Sequence, residues 1–289
     1  MDNFDNVFGK LLFKAFAFTI DFLNKHNLKF YACGGTALGA VRHQGIIPWD
    51  DDIDIYMPRK DYNILLGMTS AFSNTGYKIS SINDHGYYLP FAKIEDINTS
   101  IWEYPQYPFI TGVYIDIFPM DSFDMSEDEV TAMQHDYKKL IWNYQHSLNT
   151  MGFADAMKSG NHDLKHSYMM HKLLWWKKDS LLKEIQKREA WFATQEGPYS
   201  VCVATWPGKV FRTEWFENLI EVPFNDLKVM IPRAYDAYLT KLYGDYMTPP
   251  PVEKRVMAHE ALRHYCNLTK RVTIEEALDD IKAGRKLII

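Results

Sequence analysis

Four carboxylates, Asp50, Asp51, Asp52 and Asp54, crowd into five positions. Like charges this close repel one another, so the run calls for open solvent or a cation. Asp50 and Asp51, just after Pro48, fit a solvated turn. In "DIDIYMP" acidic and apolar residues alternate, and the side chains of a strand alternate faces. Asp52 and Asp54 therefore share a face, with Cα atoms ~6.5–7 Å apart, while Ile53 and Ile55 turn to the core. Two carboxylates aimed together from a rigid strand suit a hard divalent cation, Mg²⁺ or Mn²⁺, which takes oxygen ligands and keeps part of its shell for water and phosphate. "VYIDIF" sets a third carboxylate, Asp116, between isoleucines. A charge in such surroundings is costly to bury alone. With the two strands side by side, three carboxylates would lie on one face, and a bound metal would offset their repulsion.

The elements needed to hold these residues are legible nearby. Phe4, Phe8, Leu11, Leu12, Ala15, Phe18 and Phe22 recur at helical spacing and predict one amphipathic helix over residues ~4 to 26. "LKFYACGG" reads as a short strand ending in a glycine turn, and "TALGAVRHQG" as a short helix capped by Thr36 and stopped at Gly45. Pro58 ends the acidic strand, and "RKDYNILLGMTSAF" has helical spacing. "GYKISSI", "YLPFAKIED" and "VYIDIFPMD" read as strands. This order predicts an α/β fold, a mixed α+β sheet with helices packed on it. From Ser126, an N-cap before three acidic residues, the pattern turns mostly helical, with a return to strand at "YSVCVATW" and a helix in "IPRAYDAYLTKLYGDY" stopped by "TPPP". We divide the chain into a catalytic core with its N-terminal helix, residues 1–125, and a mostly helical region packed on it, 126–289.

Composition narrows the function. The net charge of −5 argues against general attraction to nucleic-acid phosphates. Cys33, Cys202 and Cys266 are odd in number and far apart, which points to a reducing compartment without a disulfide framework. The N-terminus is acidic, unlike a signal peptide, and "LLFKAFAFTIDFL" is broken by Lys14 and Asp21 and too short for a membrane span. A cytoplasmic protein is expected, with peripheral contact at the inner membrane face as an option. Trp175 and Trp176 beside Lys177 and Lys178 could enter a membrane interface or simply pack. His162 and His166, four apart on a helix, have Zn²⁺ spacing but fit a solvated polar face better.

A glycine pair, then D-h-D, then a distant h-D-h resembles the nucleotidyltransferase fold. The longer string "GGTALGAVRHQGIIPWDDDIDIYMPRKDY" closely resembles the signature of the LicD family, which is related to the fukutin group. "LPFAKIEDINTS", "GVYIDIFPMD" and "IPRAYDAYLTKLYGDYMTPPPVEKR" resemble the same family in the same order. The resemblance implies a phosphorylcholine transferase. It would move phosphocholine, or a related alcohol phosphate, from CDP-choline or another CDP-alcohol to a sugar hydroxyl of teichoic acid, lipopolysaccharide or a capsule precursor, with a free or lipid-linked glycan as acceptor. In that reading Asp52, Asp54 and Asp116 hold the metal, Asp116 being either ligand or base. Gly34, Gly35 and Thr36 form the turn that meets phosphate, and Arg42, His43, Arg59 and Lys93 are the candidate cations. An aromatic box for trimethylammonium could come from Tyr87, Tyr88, Trp102, Tyr104 and Tyr107. Two alternatives remain: a nucleotidyltransferase that moves NMP from an NTP and releases pyrophosphate, and a non-catalytic nucleotide-binding protein.

Overall fold

The computed structural model describes residues 3–158, 161–205, 208–255 and 264–289. In chain order the elements are α1 (Asn3–Lys25), β1 (Tyr31–Ala32), α2 (Gly34–Arg42), β2 (Asp54–Pro58), α3 (Arg59–Leu66), β3 (Tyr77–Ser80), β4 (Ala92–Asp96), β5 (Ser100–Trp102) and β6 (Tyr114–Phe123). They continue with α4 (Glu127–Ser147), α5 (Phe153–Lys158), α6 (His162–Leu174), α7 (Lys178–Phe192), β7 (Tyr199–Val201), β8 (Phe211–Arg212), β9 (Leu219–Phe224) and β10 (Leu227–Pro232). Last come α8 (Tyr235–Tyr243), β11 (Tyr265–Asn267), α9 (Ile274–Lys282) and β12 (Leu287–Ile288).

The main sheet runs β1-β2-β6-β4-β3, and β7, itself paired with β8, joins the far end of β6. Only the β2–β6 pairing is parallel; the others in this sheet are antiparallel. The fold is therefore the mixed α/β arrangement expected. Ten-residue β6 is its spine, holding β2 along one edge and β4 then β7 along the other. Ile53, Ile55, Ile94, Ile115 and Ile117 are buried in the main core, which α1 closes from outside with Leu12, Ala15, Phe16 and Leu23. Phe4, placed in the α1 stripe from the sequence, has a side chain outside the described residues. Helix α4 begins as read: Ser126 and Glu129 form a reciprocal capping box.

Three details differ from the sequence reading. α2 starts at Gly34, two residues before Thr36, with Cys33 at its N-cap and no side-chain cap. The Thr36 hydroxyl instead accepts the backbone N–H of Asp54 (2.8 Å), which ties the helix to the start of β2. Ile231 and Pro232 end β10 rather than open a helix; β9 and β10 form a hairpin through Asn225 and Asp226, with Asn225 at φ +52°. The strand read in "YSVCVATW" stops at Val201, and Trp206 lies outside the described residues. The chain after Ser126 also supplies strands: β7 extends the main sheet, and β11 joins β5 and β12 in a small sheet of its own.

Candidate active site

Asp54 opens β2 and stands in register with Asp116 of β6, so two parallel strands present both carboxylates on one face. Pairing runs back past the strand end, where the Asp116 N–H donates to the Ile53 carbonyl (3.1 Å). Asp52 lies just before the strand, within electrostatic reach of both acids. On the other side of β6, β4 sets Lys93 opposite Asp116, and Lys93 Nζ donates to Asp116 Oδ1 at 2.7 Å. A row Asp54–Asp116–Lys93 thus crosses three strands. Lys93 is fully buried, its ammonium 3.1 Å from the centre of the Tyr114 ring. The Tyr114 and Tyr88 hydroxyls both donate to Glu103, a further buried acid behind the row.

The charges in this row do not balance. Burial pushes the Asp54 carboxyl well above its ordinary range; Asp52, Asp116 and Asp50 push it further, and Lys93 only partly opposes them. Asp54 Oδ1 is buried without a hydrogen-bond partner. Burial raises Asp116 to about 6 against the pull of Lys93. An orphaned carboxylate oxygen inside an acidic cluster is what a cation would complete, since a buried charge without partners is expensive. Among the described residues no three carboxylates, imidazoles or thiolates converge closely enough to hold an ion as a group. Such an arrangement suits Mg²⁺, which is commonly held by one or two carboxylates and completes its shell with water and substrate phosphates.

In front of Asp50, Asp52 and Asp54 opens a cleft of about 540 Å³, whose lining does not include Asp116. Gly35, Arg42, Trp49, Asp50, Asp52 and Asp54 line it together with Tyr243, Tyr246 and Lys254 from near the C-terminus. Gly34 has φ +50°, and its N–H donates to the Tyr238 hydroxyl (2.9 Å), so this amide is already bonded within the protein. At Gly35 a Cβ would come within 2.6 Å of Asp50 Oδ2; the missing side chain lets the acidic loop lie against the first turn of α2. Cys33, between these glycines and β1, is no nucleophile: burial, then the charge of Asp54, drive its thiol pKa well up.

The remaining sequence candidates divide. Arg42 lines the cleft, with Nη1 donating to the Tyr246 carbonyl (2.7 Å). His43 stands edge-on to Trp49, and burial followed by Arg42 and Arg255 lower its pKa, favouring neutral imidazole. Arg59 is corrected: it sits at the opposite end of β2, pairing bidentately with Asp121 (2.7 and 2.8 Å) between the Tyr62 and Phe192 rings. Buried Asp121 needs that counter-charge where it is, so Arg59 is a structural cation. Tyr88, Tyr104 and Tyr107 do cluster, Tyr88 stacking on Tyr107 at 4.3 Å, but Tyr88 and Tyr107 are buried against their neighbours. Trp102 belongs to a separate cluster with Tyr265. His166 stacks on Trp142, while His162 is almost wholly exposed, so the imidazole pair does not form a zinc site.

Tyr243, Tyr246 and Lys254 were not singled out from the sequence. Their segment, "LYGDYMTPPPVEK", carries two tyrosines before a proline run and a lysine after it, but nothing local says that it folds over an acidic strand some two hundred residues earlier.

A glycine-opened helix beside in-register acids on a mixed sheet defines a nucleotidyltransferase-type domain. Residues 27–160 match the family described as LicD/FKTN/FKRP, nucleotidyltransferase domain. Residues 27–160 thus carry a domain of this LicD-type family. The chain is 23% identical over 241 residues to the lipopolysaccharide cholinephosphotransferase LicD of Haemophilus influenzae, covering 81% of this chain and 88% of that protein. An uncharacterized protein of Rickettsia prowazekii is 47% identical over 62 residues, 22% of this chain and 23% of its own length. One of Rickettsia typhi is 46% identical over 61 residues, 21% and 20% of the two chains. No helix of the described residues is long and apolar enough to cross a membrane.

Proposed function

We propose that the protein is a metal-dependent transferase that moves phosphocholine, or a related alcohol phosphate, from a CDP-linked donor such as CDP-choline to a sugar hydroxyl of a cell-surface glycan, releasing CMP. The observation that carries this reading is the orphaned Oδ1 of Asp54, held in register beside Asp116 under a cleft large enough for a nucleotide diphosphate. Similarity to a cholinephosphotransferase supports the transferred group, and the same similarity favours a lipopolysaccharide-type acceptor over teichoic acid or capsule.

Asp54 and Asp52 would hold Mg²⁺ or Mn²⁺. When bound, the ion would neutralise the donor diphosphate and polarise the transferred phosphoryl group. The protein's own residues set the geometry. Thr36 fixes the backbone at Asp54, and Lys93 orients Asp116 through a buried 2.7 Å contact. The free oxygen of Asp116 is left to face the acceptor hydroxyl as base or the cation as ligand. Arg42 and Lys254 bring positive charge to the cleft that receives the diphosphate. Attack of the sugar hydroxyl on the distal phosphorus forms the new P–O bond and breaks the bond to the CMP oxygen; phosphoryl transfer depends mainly on such positioning and charge neutralisation. Localisation on the cytoplasmic side is part of the same proposal.

Purified protein incubated with Mg²⁺, candidate glycan and CDP-choline, CDP-ribitol or CDP-glycerol should release CMP from one donor. Pyrophosphate from an NTP instead would establish NMP transfer, and turnover of neither would leave a nucleotide-binding protein.

A further inference from the structure

The helical region carries a surface that the acidic site does not use. On α6 and the turn after it, Met169, Leu173 and Trp176 recur at i, i+4 and i+7, hence on one face. They are 60%, 64% and 66% exposed, and the adjoining Trp175 is 59% exposed. Four large apolar side chains left in water within eight residues are a contiguous patch, not scattered surface residues. Lysines flank them: Lys172 and Lys177 are exposed, and Lys177 lies 5.0 Å above the Trp176 ring. Over residues 162–188 there are seven Lys or Arg and three Asp or Glu, in a chain whose net charge is −5. The positive charge is therefore concentrated where the indoles are.

We infer that this face docks on an anionic lipid bilayer. Protein–protein interfaces enrich Arg and deplete Lys, whereas the cations around these tryptophans are all Lys, with Arg188 at the far end of the segment. Exposed Trp and Leu on an apolar face, rimmed by lysines, are the composition of interfacial helices; indole settles at the headgroup level, and lysine stems lie along apolar surface with the ammonium toward phosphate. Each such lysine adds roughly 1 kcal/mol of attraction to an anionic leaflet. Beside the patch a cleft of about 820 Å³ opens between α4, α6 and α7, with Lys172, Lys178 and Trp175 in its wall beside Asp84 and Asp179, so it is Lys172 at its rim, not the recess as a whole, that would meet a phosphate headgroup. The inference stands independently of the transferase reading, though a lipid-linked acceptor would make it useful there.

The test is sedimentation of the full chain with vesicles of phosphatidylcholine, alone or containing phosphatidylglycerol, read alongside tryptophan emission. The expected result is partitioning about tenfold or more stronger on anionic vesicles, a blue shift of emission, and loss of the preference in high salt. Trp175→Ala/Trp176→Ala and Lys177→Glu/Lys178→Glu should each cut partitioning about tenfold while leaving the melting temperature and CMP release with a soluble acceptor unchanged. Equal binding to neutral vesicles, binding unaffected by both variants, or concentration-dependent dimerisation lost in the tryptophan variant without vesicle binding would overturn it.

Discussion

The two ends of the β2–β6 ladder make opposite use of the same materials. At one end Arg59 and Asp121 meet through two hydrogen bonds, buried and charge-matched. Five residues back along each strand, Asp54 and Asp116 stand side by side with one cation, Lys93, on the far side of Asp116, and the carboxylate it bonds is Asp116. Charge-matched buried pairs hold a fold together, even with Arg59 Nη1 left without a hydrogen-bond partner here; an acid whose charge is uncompensated remains where something outside the chain can balance it. The difference assigns stability to one end and chemistry to the other, although both look alike as Asp-bearing strand segments.

Separate losses should follow. Asp54→Asn should lower CMP release at least about 100-fold, on the scale of removing a group that stabilises transition-state charge. Its unfolding free energy should hold or rise by up to about 1 kcal/mol, because a repelled, buried carboxylate becomes neutral. A variant that keeps its turnover, or unfolds early, would move the active site elsewhere. Arg59→Met should do the reverse: it strands Asp121 in the interior and should cost about 3–5 kcal/mol in urea unfolding while activity per folded molecule is retained. Adding Asp121→Leu should recover most of that loss, since an apolar pair of similar volume is often neutral or better. Failure of the double variant to recover would mean that Asp121 has a further role.

How far the sequence carried this contrast follows from range. The acids were legible because alternation within a strand is local, and "DIDI" and "IDI" align only one way with their isoleucines inward. That Asp116 had a partner at Lys93 was not, because register between β4 and β6 depends on a loop with no periodic signal. Arg59 read as an active-site cation by proximity to Asp54, but the whole of β2 separates the two and Arg59 opens α3 beyond it, and the carboxylate that claims it lies 62 positions on. The β9–β10 hairpin was missed although Asn225 and Asp226 are turn residues, because the proline in each strand masked the alternation. Strands of two or three residues, such as β5 and β11, are too short to show any period.

Smaller effects sharpen the contrast. With CDP-choline present, Mg²⁺ should raise the melting temperature of the wild-type protein by a few degrees, about 2–4 °C per kcal/mol of linked binding for a chain of this size. Asp54→Asn should show no such rise, and Arg59→Met should show it in full from its lower baseline. A shift that persists in Asp54→Asn would place the ion away from this row.

The smallest test lies at the stable end. Glu189 accepts the Tyr137 hydroxyl (2.9 Å) near the Arg59–Asp121 pair, and burial raises its pKa while Arg59 opposes the rise. A carboxyl that holds its proton to higher pH in the folded chain than in the unfolded one adds stability in full below the ordinary Glu value. That contribution is lost as pH climbs through the raised one. Glu189→Gln keeps an acceptor for Tyr137 and cannot ionise. Its melting temperature relative to wild type should therefore climb as pH rises from the ordinary Glu pKa through the raised one. A flat difference would mean that Arg59 already cancels the burial of Glu189. A falling one would mean that Arg59 over-compensates, making Glu189 a second counter-charge and this end of the ladder a three-membered ion cluster.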